Sequence, residues 1–185
     1  MMTSPKAPQR QPPLWMPDHE PMEGEALPSP YRQLLFHDQD MTSTLSRHHG
    51  ETIQLRVLEK IQGRDSLERR VVLVGAGSGR PVEYGAIRIE LAPFPKAAQR
   101  AILDCQHPLG TILADFEILY SSHPQSFFRL TSTPEMERAL NLPESNLTLY
   151  GRRNRLLDHL GKTLAVVVEI LPLERAPSTP KGLGS

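Results

Sequence analysis

The chain has 185 residues, with 21 basic side chains balanced by 21 acidic ones, 18 prolines, 12 glycines and one cysteine, a size for one domain. Zero net charge removes the sequence-independent phosphate attraction on which most nucleic-acid binding rests. A lone Cys105 excludes an intrachain disulfide framework and a cysteine-based zinc cluster. The start, MMTSPKAPQRQPPLWMP, lacks the apolar stretch of a secretory signal, and no run reaches the roughly 18 apolar residues of a membrane span. The expectation is a soluble cytoplasmic protein, monomer or homodimer, with no nucleic-acid partner and no membrane span.

Residues 1–30 hold eight prolines and few aliphatic side chains, a composition that buries too little apolar surface to offset the entropy of ordering. It reads as a disordered or loosely docked proline-rich arm, with Trp15 either a docking point or, more simply, an isolated exposed aromatic. Residues 31–173 are the expected domain, and 174–185 a flexible tail. Within the domain, YRQLLFHDQDMTSTLSRHHG fits two short helices broken by an Asp-rich turn, Asp40 capping the second. Ile53, Leu55 and Val57 alternate with polar residues as on a half-buried strand. RRVVLVG, the turn GAGSGRP and VEYGAIRIEL read as a hairpin. PKAAQRAILDCQ is an amphipathic helix, and PLGTIL a short turn or helical cap. Residues 115–132 and 147–153 read as strands around a helix opened by Thr133, Pro134 and Glu135. TLAVVVEILP is the most apolar segment and should be central. The expected class is α+β, a single-domain antiparallel sheet with helices on one side.

GAGSGR lacks the Gly-Lys-Ser/Thr ending of a phosphate loop and opens no helix, so it reads as an exposed turn. His48 and His49 are adjacent and have no histidine at helical spacing, so they read as solvated rather than metal-binding. Three charged residues in apolar strands stand out: Glu169 in AVVVEILP, Arg88 in GAIRIEL and Arg69 before VVLVG. Burying any of them unpaired costs several kcal/mol. They are either exposed strand-face residues or a structural ion pair, or, with GRRNR at 151–155, they line an electropositive pocket for a small carboxylated ring.

The order LERRVVLV, EYGAI, PLGTIL, LYGRRNRL and VVVEILP resembles the chorismate lyase family, in a diverged branch, over roughly residues 31–172. The resemblance implies a cofactor-free and metal-free lyase that converts chorismate to 4-hydroxybenzoate and pyruvate. It implies that Arg69 binds a carboxylate, that Leu109 and Gly85 contact the ligand through backbone, that Glu169 meets the oxygen at the para position of the ring, and that Met41 lines the pocket. Glu169 and Arg69 are the expected catalytic residues: Glu169, in its apolar strand, either stays protonated and donates to the ether oxygen as the bond breaks or, ionised and paired to Arg69, orients the substrate. The family's second arginine is replaced by Ala86, and Arg88, two residues on, is the expected substitute. Failing that, Arg152 or Arg153 would hold the second carboxylate. Glu83 and Tyr84 are further pocket candidates that the resemblance leaves without a role. The alternative to an enzyme is a non-catalytic domain of the same fold that binds an aromatic carboxylate, as in effector-sensing domains of bacterial transcription regulators. No segment here reads as a helix-turn-helix.

Overall fold

A computed structural model describes residues 14–172. The calls on residues 1–13 and 173–185 lie outside the described residues. Seven strands form one antiparallel sheet: β1 (Glu20–Met22), β2 (Ile53–Gln62), β3 (Ser66–Gly75), β4 (Pro81–Glu90), β5 (Tyr120–Thr131), β6 (Thr148–Asp158) and β7 (Thr163–Leu171), in the order β1-β5-β6-β7-β4-β3-β2. Apolar β7 lies mid-sheet, joining the β2-β3-β4 meander to the β5-β6 hairpin.

The helices are α1 (Tyr31–Leu35), α2 (Met41–His49), α3 (Lys96–Asp104), α4 (Leu109–Asp115) and α5 (Pro134–Leu140). Local chemistry fixes several of their ends. The Asp40 carboxylate accepts from Ser43 N at 2.8 Å to start α2, and Gly50, at φ 68°, ends it in the left-handed conformation that glycine adopts without strain. Thr133 accepts from Met136 N to start α5, with Pro134 in the first turn.

Strand alternation sorts side chains onto two faces. On the front face, Leu67, Ile87, Ile89, Leu156 and Ala165 pack against α3 and α4, while Leu73 and Leu171 pack with α1 and α2. These four helices make the helical layer that the class predicts. On the back face, Val72, Tyr84, Ala86, Phe128, Val168 and Ile170 pack under α5 and Leu14.

Of the two readings of the N-terminal arm, the docked one holds from Leu14 onward. Leu14 is buried, the Trp15 ring lies 5.7 Å from that of Tyr84 and 5.9 Å from the Arg70 guanidinium, and His19 packs on Phe128. β1 then pairs with β5. Composition is a statement about the arm alone; the apolar surface that holds it belongs to the sheet.

β6 passes β7 closely at Gly151, where an added Cβ would stand 2.5 Å from the Glu169 carbonyl oxygen and 2.7 Å from the Phe128 ring. Gly151→Ala is expected to destabilise the fold by about 1–3 kcal/mol, the usual range for overpacking a core. Scanning calorimetry should read this as a fall in Tm of several degrees, and an unchanged Tm would show that β6 relaxes freely.

Candidate functional site

Register builds the site. Val71, Gly85, Glu169 and Arg152 are successive cross-strand partners on β3, β4, β7 and β6. Gly85 contributes no side chain to that row, which leaves a depression between Val71 and Glu169. The next row holds Arg69, Ile87, Val167 and Asn154. The starts of α2 (Asp40, Met41, Thr42) and α4 (Pro108, Leu109, Gly110) roof the depression. They meet closely: a Cβ on Gly110 would stand 2.9 Å from both Asp40 Oδ1 and Thr42 Oγ1. The hollow has a cavity volume of about 60 Å³. A single water needs roughly 10–15 Å³ by that measure, so the space suits a small ligand.

Met41, Arg69, Gly85, Leu109 and Glu169 all line this hollow, and Glu83 joins them. Arg88 does not. It shares a face with Ala86, as strand periodicity requires, but that is the back face. There Arg88 Nε donates to Glu68 Oε1 at 2.6 Å, across the Glu68–Arg88 register pair. Tyr84 is likewise on the back, its hydroxyl donating to Glu135. Arg153 pairs in register with Val168 of the back cluster.

Arg152 has a different part from the one expected. Fully buried, it is ion-paired with Glu169 through Nε. Its Nη1 donates to the carbonyls of Leu35 and His37 at 3.0 and 2.8 Å, and its Nη2 to that of Gln39 at 3.2 Å. It thereby ties the α1–α2 loop to the sheet and fixes the Glu169 carboxylate. Burial, then the Arg152 charge, hold His37 below the ordinary 6.5. In the neutral ring, Nε2–H donates to Leu34 O at 2.7 Å and Nδ1 accepts from Gln39 N at 3.1 Å. This partner of Glu169 is not legible in the sequence, because nothing in GRRNR tells which arginine faces the last strand.

Among the described residues Glu83 has no cation of its own. It is buried, and its Oε2 has no hydrogen-bond partner. Burial, then repulsion from Glu169, push its pKa well above the ordinary 4.5, with Arg152 opposing. At the other end of the hollow, Arg69 is 3% exposed. Its Nη2 reaches His107 O at 3.4 Å, while Nε and Nη1 have no partner. Burial lowers its pKa, and the neighbouring Cys105 thiol opposes that. The hollow is thus lined by an arginine with two unmatched N–H donors, a buried acid whose pKa is raised, and apolar walls that include Leu55, Leu73 and Leu113.

No family profile and no curated protein matches the chain. By structure it is similar to the effector domain of PhnF from Mycobacterium smegmatis, with TM-score 0.56 and 9% identity over 74% of this chain and 95% of that one. A longer PhnF chain aligns at TM-score 0.54 and 9% identity over 72% of this chain, which spans 63% of that PhnF. The ligand-binding domain of a GntR-family transcriptional regulator from Bordetella bronchiseptica aligns at TM-score 0.51 and 12% identity, over 66% of this chain and 87% of that domain. The chain has the fold of these effector domains. It is the α+β, chorismate lyase-like architecture expected from the order of motifs. The expectation of a chorismate lyase is corrected: the similar structures are ligand-binding domains of transcription regulators. As a statement about membranes, no helix among the described residues is long and apolar enough to cross one.

Proposed function

We propose that this chain is a non-catalytic binding domain that holds a small carboxylated ring in the front-face hollow, as an effector-sensing module. The observation that carries the reading is Arg69, a buried cation with two unmatched N–H donors lining an otherwise largely apolar space. Such donors cost stability in the empty protein. A carboxylate placed against them forms charge-assisted hydrogen bonds and removes that cost. Leu109 and Gly85 supply close backbone, Met41 supplies apolar contact, and Glu169, held by Arg152, shapes the far wall. The roof comes from the first turns of α2 and α4, so a seated ligand bears directly on these helices. That contact is the route by which occupancy is felt elsewhere in the fold.

Isothermal titration with benzoate and benzamide tests the reading. The acid is expected to bind about ten- to a hundredfold more tightly than the amide, the equivalent of one charged hydrogen-bond pair. Arg69→Met should abolish that preference and raise the Tm of the unliganded protein. Equal affinities for acid and amide, or a preference that survives Arg69→Met, would sink the proposal. Chorismate incubated with the protein should be recovered intact.

A further inference from the structure

The carboxylate reading engages Arg69, and the same guanidinium has a second neighbour that does not line the hollow. The Cys105 thiol stands beside it, within reach of its charge and of a side-chain hydrogen bond. Two elements fix this contact. Arg69 projects from β3, in register with Ile87 of β4, and its Nη2 reaches the carbonyl of His107, two residues beyond the cysteine. Cys105 ends α3 and packs against the front-face cluster that holds Ile102 and Leu109. The thiol's own hydrogen bond is weak, a donation to Ile102 O at 3.5 Å. Cys105 is half-buried, so a small reagent reaches it, whereas Arg69 is almost wholly buried with Nε and Nη1 unpartnered. Reactive cysteines occupy this kind of setting, partly open to solvent and next to a cation that favours the thiolate, which is the nucleophile. Because Arg69 also lines the hollow, it joins the thiol to the ligand space.

We propose that Cys105 is a modification site, oxidised by peroxides to the sulfenic acid with the help of Arg69, and that this oxidation and carboxylate binding oppose each other. The second half rests on the carboxylate reading; the first does not. In the step, the thiol gives its proton to solvent and the thiolate sulfur attacks one peroxide oxygen. The S–O bond forms as the O–O bond breaks, and the departing oxygen takes up a proton and leaves as water, or as an alcohol from an organic peroxide. Sulfur loses two electrons and the peroxide gains them. The Arg69 charge favours the thiolate, and its unmatched N–H groups are available to the oxygen that departs with negative charge. Once formed and ionised, the sulfenate oxygen is an anionic acceptor beside those same donors, so it competes with a carboxylate for Arg69. Conversely, a carboxylate seated on Arg69 offsets the charge on which the thiolate relies and slows the oxidation.

The test is hydrogen peroxide at pH 7 in the presence of dimedone, which traps sulfenic acids, followed by mass spectrometry of the intact chain, whose single cysteine assigns the adduct. Wild type is expected to form the adduct at least about tenfold faster than Arg69→Met. Arg69→Lys, which keeps the charge, should stay within about threefold of wild type. Saturating benzoate should slow the wild-type reaction about tenfold. Protein oxidised without dimedone should bind benzoate about tenfold more weakly in isothermal titration. No adduct, or one that forms as fast in Arg69→Met, overturns the modification site. A lysine variant as slow as the methionine one overturns it too, since the charge then plays no part. Arg69-dependent oxidation that benzoate leaves unchanged, in a protein that binds benzoate through Arg69, overturns the opposition between the two events. If benzoate does not bind at all, the carboxylate reading falls and the opposition with it, while an Arg69-dependent adduct still supports the modification site.

Discussion

Arg152→Met is expected to cost about 3–5 kcal/mol of folding stability, the range for removing one partner of a buried ion pair. Two losses combine. The Glu169 carboxylate stays in the sheet interior without its cation, and the carbonyls of Leu35, His37 and Gln39 lose their donor together. Methionine fills much of the volume, so a cavity contributes little. Urea unfolding of the single variant should show a midpoint well below that of wild type. In Arg152→Met/Glu169→Gln, which also removes the stranded charge, a substantial part of the loss should return. A single variant within about 1 kcal/mol of wild type would mean that the pair is hydrated and not a structural anchor.

That pair also shows where the sequence stops being informative. Features set by neighbours along the chain are legible: the Asp40 cap, the α5 start at Thr133 and Pro134, the apolar β7 and the turn after Gly75 all follow from local chemistry. Face assignment is legible within one strand, so Ala86 and Arg88 are correctly placed on the same side of β4. Which side that is depends on what packs there, and Arg88 finds Glu68 one strand over on the back. Arg152 and Glu169 are 17 positions apart and become partners only through the β6–β7 register. Two arginines in a row put one on each face whatever the register, so GRRNR offers a cation to either side. The sequence leaves the docking of Trp15 open for the same reason: its contacts, Arg70 and Tyr84, lie more than fifty residues away. Met41, Arg69, Gly85, Leu109 and Glu169 were each tied to the site by the order of motifs. Glu83 reads in the sequence as a pocket candidate without a role, because its isolation from any cation is a property of the assembled sheet.

Glu83 should leave a signature in the pH dependence of stability even without ligand. Its pKa in the folded protein lies well above its ordinary 4.5, with burial the larger cause and Glu169 the second. Between those two values the folded state binds a proton that the unfolded chain has released. Stability from this group is therefore complete below about pH 4.5 and is lost as pH rises through the folded value. Glu51 and Glu137 have the opposite sign, since hydrogen bonds hold their pKa values down and their contributions fade as pH falls. The useful quantity is accordingly the difference between wild type and Glu83→Gln, in which those groups cancel. Urea unfolding from pH 4 to 9 should show the Gln variant gaining steadily on wild type as pH increases. Parallel curves across that range would mean that Glu83 ionises as freely as an exposed carboxyl.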